Sequence, residues 1–548
     1  MTPMRAVIVA AALFAGPAQA LYDPAHEYVE APAVAARFPE PAVDFPTPAF
    51  KAGRSDFTTQ DELIAFVDAL AARSRDLRVQ IAGRSQEDRA IPLLVFARPA
   101  AARGGEAAKD GKPTVLIIGQ QHGNEPAGGE AALALAAELA SAPGSAILER
   151  VNVLIVPRAN PDGAHHFVRG LADGGDVNRD HLLEATPEGR ALGRVFVDFQ
   201  PDVVLDCHEF GVKVRWYEKF GALQRYDALI QYATVSNLPL ALTEASERMF
   251  RTPLLEALAG SGMTTSWYYT SSYDPKDRVV SMGGVSPDTG RNIAGLRNAV
   301  SFLIETRGVG IGRAHFKRRV YTHLVAMRSM LESAARNADA VLALGRTLRR
   351  DVAAAAGTGT LVVSGTATPS THTLDLVDPE TGADRVVAVD WRSALDIVPR
   401  LVRPRPYAYV LPASEAVAAR HLVALGATVL RVGAAQDAAG ERYRVTRAET
   451  RRKDDVRRND DDVPSSIVQV ATVTEPVRVA LRPGDFYVPL DQPLANVIAA
   501  ALEPDTQSSF AANRLLTLPP GGGDAPAYLP LYRLPGALAV PTVVWDGA

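Results

Sequence analysis

The apolar positions of this chain change period several times, and each change predicts an element. Leu63, Phe66, Val67 and Leu70 recur at helical spacing, and Thr59 with Glu62 three residues later forms a capping box that sets where the helix begins. Two short strands follow at 79–81 and 91–96, joined by a turn around Gly83 to Asp88. The runs 114–118, 151–156, 203–206 and 300–305 are largely apolar without alternation, and helical stretches such as 125–139 separate them. Strands apolar on both sides must be covered on both sides. The pattern therefore predicts an α/β fold, a mostly parallel mixed sheet flanked by helices, closed by a long amphipathic segment from 321 to about 355.

After Gly357 the composition turns to Thr, Val, Pro and Gly with short apolar runs at 361–363, 407–411, 477–481 and 486–489. This predicts a smaller, β-rich accessory domain over 357–548 with a helix at 414–425, following a main domain over 56–356. A length of 548 residues accommodates two such units. A dense run of both charge signs between Arg451 and Asp462 reads as a solvated loop, because mixed signs create no net field. Residues 21–55, rich in Pro and Ala, read as an extension packed on the main domain. The first twenty residues have the three parts of a cleavable signal peptide: Arg5, the apolar run 6–15, and Ala18-Gln19-Ala20. That predicts a periplasmic or secreted protein with no membrane span in the mature chain.

Charge and cysteine content narrow the chemistry. The net charge of −4 leaves no basic excess to neutralise phosphates, so nucleic acid is not an expected partner. Cys207 is the sole cysteine, which excludes an internal disulfide and any zinc site built from several thiolates. A metal here must be held by His and carboxylates.

Such a set falls where open α/β sheets place their sites, beyond the C-terminal ends of strands. Strand 114–118 runs out to His122, with Glu125 three residues on; strand 203–206 leads into Cys207-His208-Glu209; strand 300–304 ends at Glu305. Two histidines and one glutamate leave zinc a fourth position for water. Glu305 is the candidate general base, and Glu209 is read as a supporting group. The turn Asn160-Pro161-Asp162-Gly163 brings Arg169 close behind, a guanidinium suited to holding an oxyanion.

These stretches together resemble the zinc metallocarboxypeptidase family, whose relatives include carboxypeptidase A-like peptidases and zinc aminoacylases. The resemblance runs from about Phe57 to Gly308. It rests on Gly83-Arg84-Ser85 with Arg89, His122-Gly123-Asn124-Glu125, Asn160-Pro161-Asp162-Gly163, Asp176-Val177-Asn178-Arg179, Asp206-Cys207-His208-Glu209 and Glu305-Thr306. It implies a carboxypeptidase-like fold and one zinc ion on His122, Glu125 and His208. It also implies that Asn178 and Arg179 hold the substrate's terminal carboxylate, Arg169 the oxyanion, Glu305 the proton, and that Asp176 orients His122. Two positions depart from the family pattern. Asp180 follows Arg179 where Asn is common, and the loop 281–287 lacks the usual tyrosine, leaving Tyr273 as the substrate-binding stand-in, with Tyr268 and Tyr269 nearby. His165, His166 and His181 read as structural.

The expected function is zinc-dependent removal of C-terminal residues from peptides. Two alternatives stay open: an amidase or deacylase acting on acylated amines or acyl-amino acids, and a non-enzymatic metal-bearing binding module. Sequence does not fix the oligomeric state.

Overall fold

The computed structural model describes residues 22–98, 111–141, 144–455, 466–519 and 526–547. Residues 1–20, read above as a signal peptide, lie outside the described residues. Three sheets organise the rest. The first joins β1 (Leu77–Arg84), β2 (Ala90–Phe96), β3 (Thr114–Gly119), β4 (Asn152–Val156), β5 (Val203–Gly211), β7 (Ala228–Tyr232), β8 (Thr265–Trp267) and β11 (Val300–Val309), in the order β1-β2-β4-β3-β5-β11-β7-β8. The central pairings β4–β3, β3–β5 and β5–β11 are parallel, whereas β1–β2, β2–β4 and β11–β7 are antiparallel. β3 and β4 are buried at every position, the signature expected of strands covered on both faces. On one face Val115, Ile117, Leu205 and Cys207 meet the helices Pro126–Leu139 and Phe316–Arg336. On the other, Leu116, Ile118 and Val204 meet the helix Pro187–Phe199.

The helix predicted from Thr59 spans Gln60–Arg73, with both halves of its capping box formed. The long segment expected at 321–355 is two helices, Phe316–Arg336 and Ala338–Ala354. Asn337 breaks it by leaving helical dihedrals (φ −107°, ψ 22°), while its backbone N–H and its side-chain amide both donate to the Ser333 carbonyl. β5 and β11 outrun their predicted lengths, so His208, Glu209 and Glu305 lie inside strands and not at their ends. The two strands pair with each other as far as Val309↔Gly211, and this ladder carries polar side chains that an apolar-run reading cuts off.

The second sheet, β6-β12-β13-β10-β9, holds β6 (Leu223–Gln224), β9 (Thr270–Ser271), β10 (Val279–Ser281) and the long hairpin β12 (Thr360–Val377) and β13 (Asp384–Pro404). Leu374, Leu376, Val389 and Trp391 of the hairpin pack with Phe210, Leu229 and Leu303 of the first sheet. The third sheet contains β14 (Ala408–Leu411), β15 (Val429–Val432), β16 (Gln436–Arg452), β17 (Ser466–Leu481), β18 (Phe486–Pro489), β19 (Ala527–Leu534) and β20 (Thr542–Trp545). Its core shares residues with the α/β part: Leu182, Ile293, Leu296 and Val352 join Tyr409, Leu422 and Ile498. Among the described residues no helix is long and apolar enough to cross a membrane.

The N-terminal extension is fastened at charged points. Glu30, its side chain buried, accepts from Arg307 at 2.5 Å and lies 2.9 Å from His315 Nε2. Burial opposes ionisation of Glu30, but His315 and Arg307 outweigh it and hold the carboxyl at about 2. A depressed carboxyl stabilises the fold above its unfolded pKa and loses that contribution as pH falls through the folded value. Glu30→Gln leaves the Arg307 charge uncompensated and is expected to destabilise by about 3–5 kcal/mol. Urea midpoints should show the full deficit at pH 6, shrinking as the pH approaches 2.

Candidate active site

The first sheet opens the site by letting one strand stop early. β3 ends at Gly119, paired with Cys207, because Gln120 takes a left-handed φ of 48° and turns the chain away. β5 continues past that point beside β11, in the register Leu303↔Asp206 and Glu305↔His208. Alternation along the strands puts Asp206, His208 and Glu305 on one face and Cys207 on the other. The loop after β3 swings His122 and Glu125 into the space that β3 vacates.

There three donor groups converge. His122, Glu125 and His208 are buried, with ligand atoms all within 4.8 Å of one another. His122 Nδ1 lies 2.9 Å from Glu125 Oε1, His208 Nδ1 lies 2.9 Å from Glu125 Oε2, and the two Nδ1 atoms are 3.0 Å apart. Both imidazoles therefore aim the same nitrogen at one point. Their opposite nitrogens are held by acids: His122 Nε2 sits 3.1 Å from Asp176 Oδ1, and His208 Nε2 sits 3.0 Å from Asp206 Oδ1. Arg169 bridges the group, reaching Glu125 at 3.3 Å and Asp176 at 2.7 Å.

The electrostatics fit a divalent cation. Burial resists charge on all three carboxyls, yet they stay ionised. The imidazoles hold Glu125 well below the usual range, Arg169 and His122 do the same for Asp176, and His208 lowers Asp206. Burial likewise opposes a charged His208, but Asp206 and Glu125 push it up to about 10. The same negative surroundings favour a divalent ion between the two Nδ1 atoms and Glu125, and His₂Glu is a donor set suited to zinc.

Around this centre the other expected residues take distinct places. Glu305 is fully buried beside His208. Glu209 is engaged by Arg319 at 2.7 Å and by the Ala127 amide at 2.9 Å, a supporting role at a helix start. Asn178 accepts from the Gly290 amide at 2.8 Å, and its Nδ2 lies 3.1 Å from His208 Nε2. Asn178 and Arg179 line a cavity of about 620 Å³ together with Gly283–Thr289, Arg291 and Leu303. Asp180 does not face this cavity's guanidinium: it accepts from Ala185 N, Thr186 N and Thr186 Oγ1, ordering the turn into the helix Pro187–Phe199. His181 pairs with Gln121 at 2.9 Å, and burial lowers it to about 4.

Tyr273 is not brought to the cavity. Its hydroxyl takes a hydrogen bond from Arg215 at 2.9 Å, with that guanidinium over its ring. Tyr268 is the tyrosine that lines the cavity. Asp206, given no role from sequence, was legible as the i−2 neighbour of His208 on the same strand face. The charge run is also corrected over its described part. Lys453 is buried against Asp288, and Asp455 reaches Arg179 Nε at 2.7 Å, so these residues enter the cleft and do not form a solvated loop. The remainder of the run lies outside the described residues.

Close backbone packing sets the position of the His122–Glu125 turn. A Cβ on Gly123 would stand 1.8 Å from the Gly163 carbonyl carbon, and one on Gly128 would stand 2.8 Å from Cys207 Cβ. An eight-strand mixed sheet with a buried His₂Glu cluster beyond a shortened central strand defines a metallohydrolase of the carboxypeptidase type.

Comparison with known proteins agrees. The profile described as zinc carboxypeptidase matches residues 63–200. "Carboxypeptidase 2" of Trichophyton rubrum is 28% identical over 492 residues, covering 88% of each chain. "Probable carboxypeptidase 2" of Trichophyton verrucosum is 30% identical over 370 residues, covering 67% of this chain and 70% of that protein. Among solved structures, a metallo-carboxypeptidase from Burkholderia cenocepacia aligns with a TM-score of 0.37 at 19% identity, over 51% of this chain and 69% of that one. The chain belongs to the zinc carboxypeptidase family, and is a zinc-dependent enzyme of peptide hydrolysis.

Gly123→Ala is expected to lower thermal stability by several kcal/mol and to reduce bound zinc in the same preparation, since the clash is with backbone. Gly260→Ala, at an exposed helical position where nothing lies within 4 Å, should leave zinc content unchanged and stability equal or slightly raised; calorimetry with elemental analysis reads the pair.

Proposed function

We propose that the protein removes single residues from the C-termini of peptides, with one zinc ion held by His122, Glu125 and His208. The observation that carries this reading is the convergence of two Nδ1 atoms and one carboxylate within 4.8 Å, with Glu305 beside His208 on the same strand face. Zinc bound there supplies Lewis-acid chemistry, acidifying water and polarising a carbonyl. Glu305 takes the proton of the attacking water and later passes it to the departing amine. Arg169, already between Glu125 and Asp176, offers its guanidinium to the carbonyl oxygen as negative charge grows there. Arg179 and Asn178, lining the cavity, bind the terminal carboxylate and so select the last peptide bond. Asp176 and Asp206 keep the two imidazoles in the orientation and tautomer that present Nδ1.

The reading includes export, supported by the pattern of residues 1–20, and a main unit over 56–356 that carries the chemistry. Tyr273 has no part in it, because Arg215 engages its hydroxyl.

Glu305→Gln should cut kcat by about 10²–10⁴-fold while zinc content and thermal midpoint stay at wild-type values. Undiminished turnover by that variant contradicts the role given to Glu305. In the wild-type protein, 1,10-phenanthroline should abolish release of C-terminal residues and added zinc should restore it. Equal cleavage of peptides ending in a carboxamide would instead favour an amidase.

A further inference from the structure

One strap from the third sheet enters the cleft, and each of its residues is held by a different partner. At the end of β16, Lys453 pairs with the buried Asp288 of the cavity loop, and Ser508 donates to the same carboxylate at 2.9 Å. Asp454 is clamped by Gln507 in both directions, its amide donating at 2.9 Å and its carbonyl accepting at 3.0 Å. Asp455 then lays a carboxylate oxygen 2.7 Å from Arg179 Nε. Both members of that pair are largely buried, with about a fifth of each side chain exposed: 21% for Arg179 and 23% for Asp455.

From this geometry we propose that Asp455 imitates the terminal carboxylate of the substrate, so that a peptide binds by displacing it from Arg179. The inference rests on the reading of Arg179 as the carboxylate anchor. Its chemistry is direct: a guanidinium grips one carboxylate in its fork, and two carboxylates on one fork repel. The fraction of protein with Arg179 released from Asp455 scales the apparent affinity, as for any site whose competent state is partly populated. The accessory sheet thereby sets substrate affinity from its own chain segment. Its anchors at Asp288 and Gln507 keep the competing carboxylate in place without contact to His122, Glu125 or His208.

The test uses the full-length, zinc-loaded protein and an N-acylated dipeptide with a free C-terminal carboxylate. Asp455→Asn keeps the shape and removes the charge. It should lower KM by about threefold to tenfold with kcat within twofold of wild type, because a partly exposed ion pair is of modest strength. Inhibition by the released amino acid should tighten by the same factor. Asp437→Asn, which removes an exposed carboxylate from the same strand β16 away from the cavity, should leave KM unchanged. Arg179→Met reads the underlying assignment and should raise KM at least tenfold. If Arg179→Met raises KM but Asp455→Asn leaves it unchanged or raises it, competition is refuted and Asp455 serves to position Arg179. If Arg179→Met leaves KM unchanged, the anchor reading falls and the inference falls with it.

Discussion

The structure depends on a concentration of buried negative charge that has to be neutralised in place. Glu125, Asp176 and Asp206 stand around two imidazoles, and all three stay ionised against the cost of burial. Arg169 answers part of this charge by touching Glu125 and Asp176 together. A divalent ion held at the converging Nδ1 atoms would answer the rest, and its affinity would then add to the stability of the fold. Apolar side chains of similar volume would carry no such desolvation cost, so cohesion alone does not account for these acids.

The sheet meets this demand by unequal strand lengths. Where β3 leaves after Gly119, β5 loses a neighbour on one side only, and β11 keeps it straight on the other through Glu305↔His208 and Thr306↔Glu209. The ladder thus supplies rigidity on one flank of the metal site and room on the other. Behind it, Arg319 and Glu209 lock the start of the helix Pro126–Leu139, which begins immediately after Glu125. Precision comes from strands and a helix start, and loops are left to shape the cavity.

Much of this was legible in the residues. The capping box at Thr59, the apolar strands 114–118 and 151–156, and the placing of His122, Glu125 and His208 after apolar runs each carry a signal that tertiary contacts do not reverse. What escaped has physical causes. β5 and β11 were cut short because charged and polar side chains interrupt their apolar runs. The hairpins β12–β13 and β16–β17 have long half-exposed stretches, in which apolar and polar positions mix without a clean period. Asn337 divides a helix by its own non-helical dihedrals, a signal carried by a single residue. Lys453 and Asp455 belong to a run whose charges are mostly typical of solvent, and only long-range partners reveal which two turn inward. Tyr268 and Tyr273 are five positions apart, and nothing local says which of them Arg215 will claim.

The hairpin β12–β13 has a consequence for how the chain is made. It pairs with β6 and β10, and it covers Phe210, Leu229 and Leu303 with its own Leu374, Leu376 and Trp391. Those three residues belong to strands that leave the ribosome well before the hairpin does. During synthesis the half that bears the His₂Glu cluster waits with an apolar flank open to water, a state prone to association with other nascent chains. Completion of the enzyme is thus tied to the arrival of its later segments, and a polypeptide released early would be a target for chaperones and proteases before it could become a working peptidase.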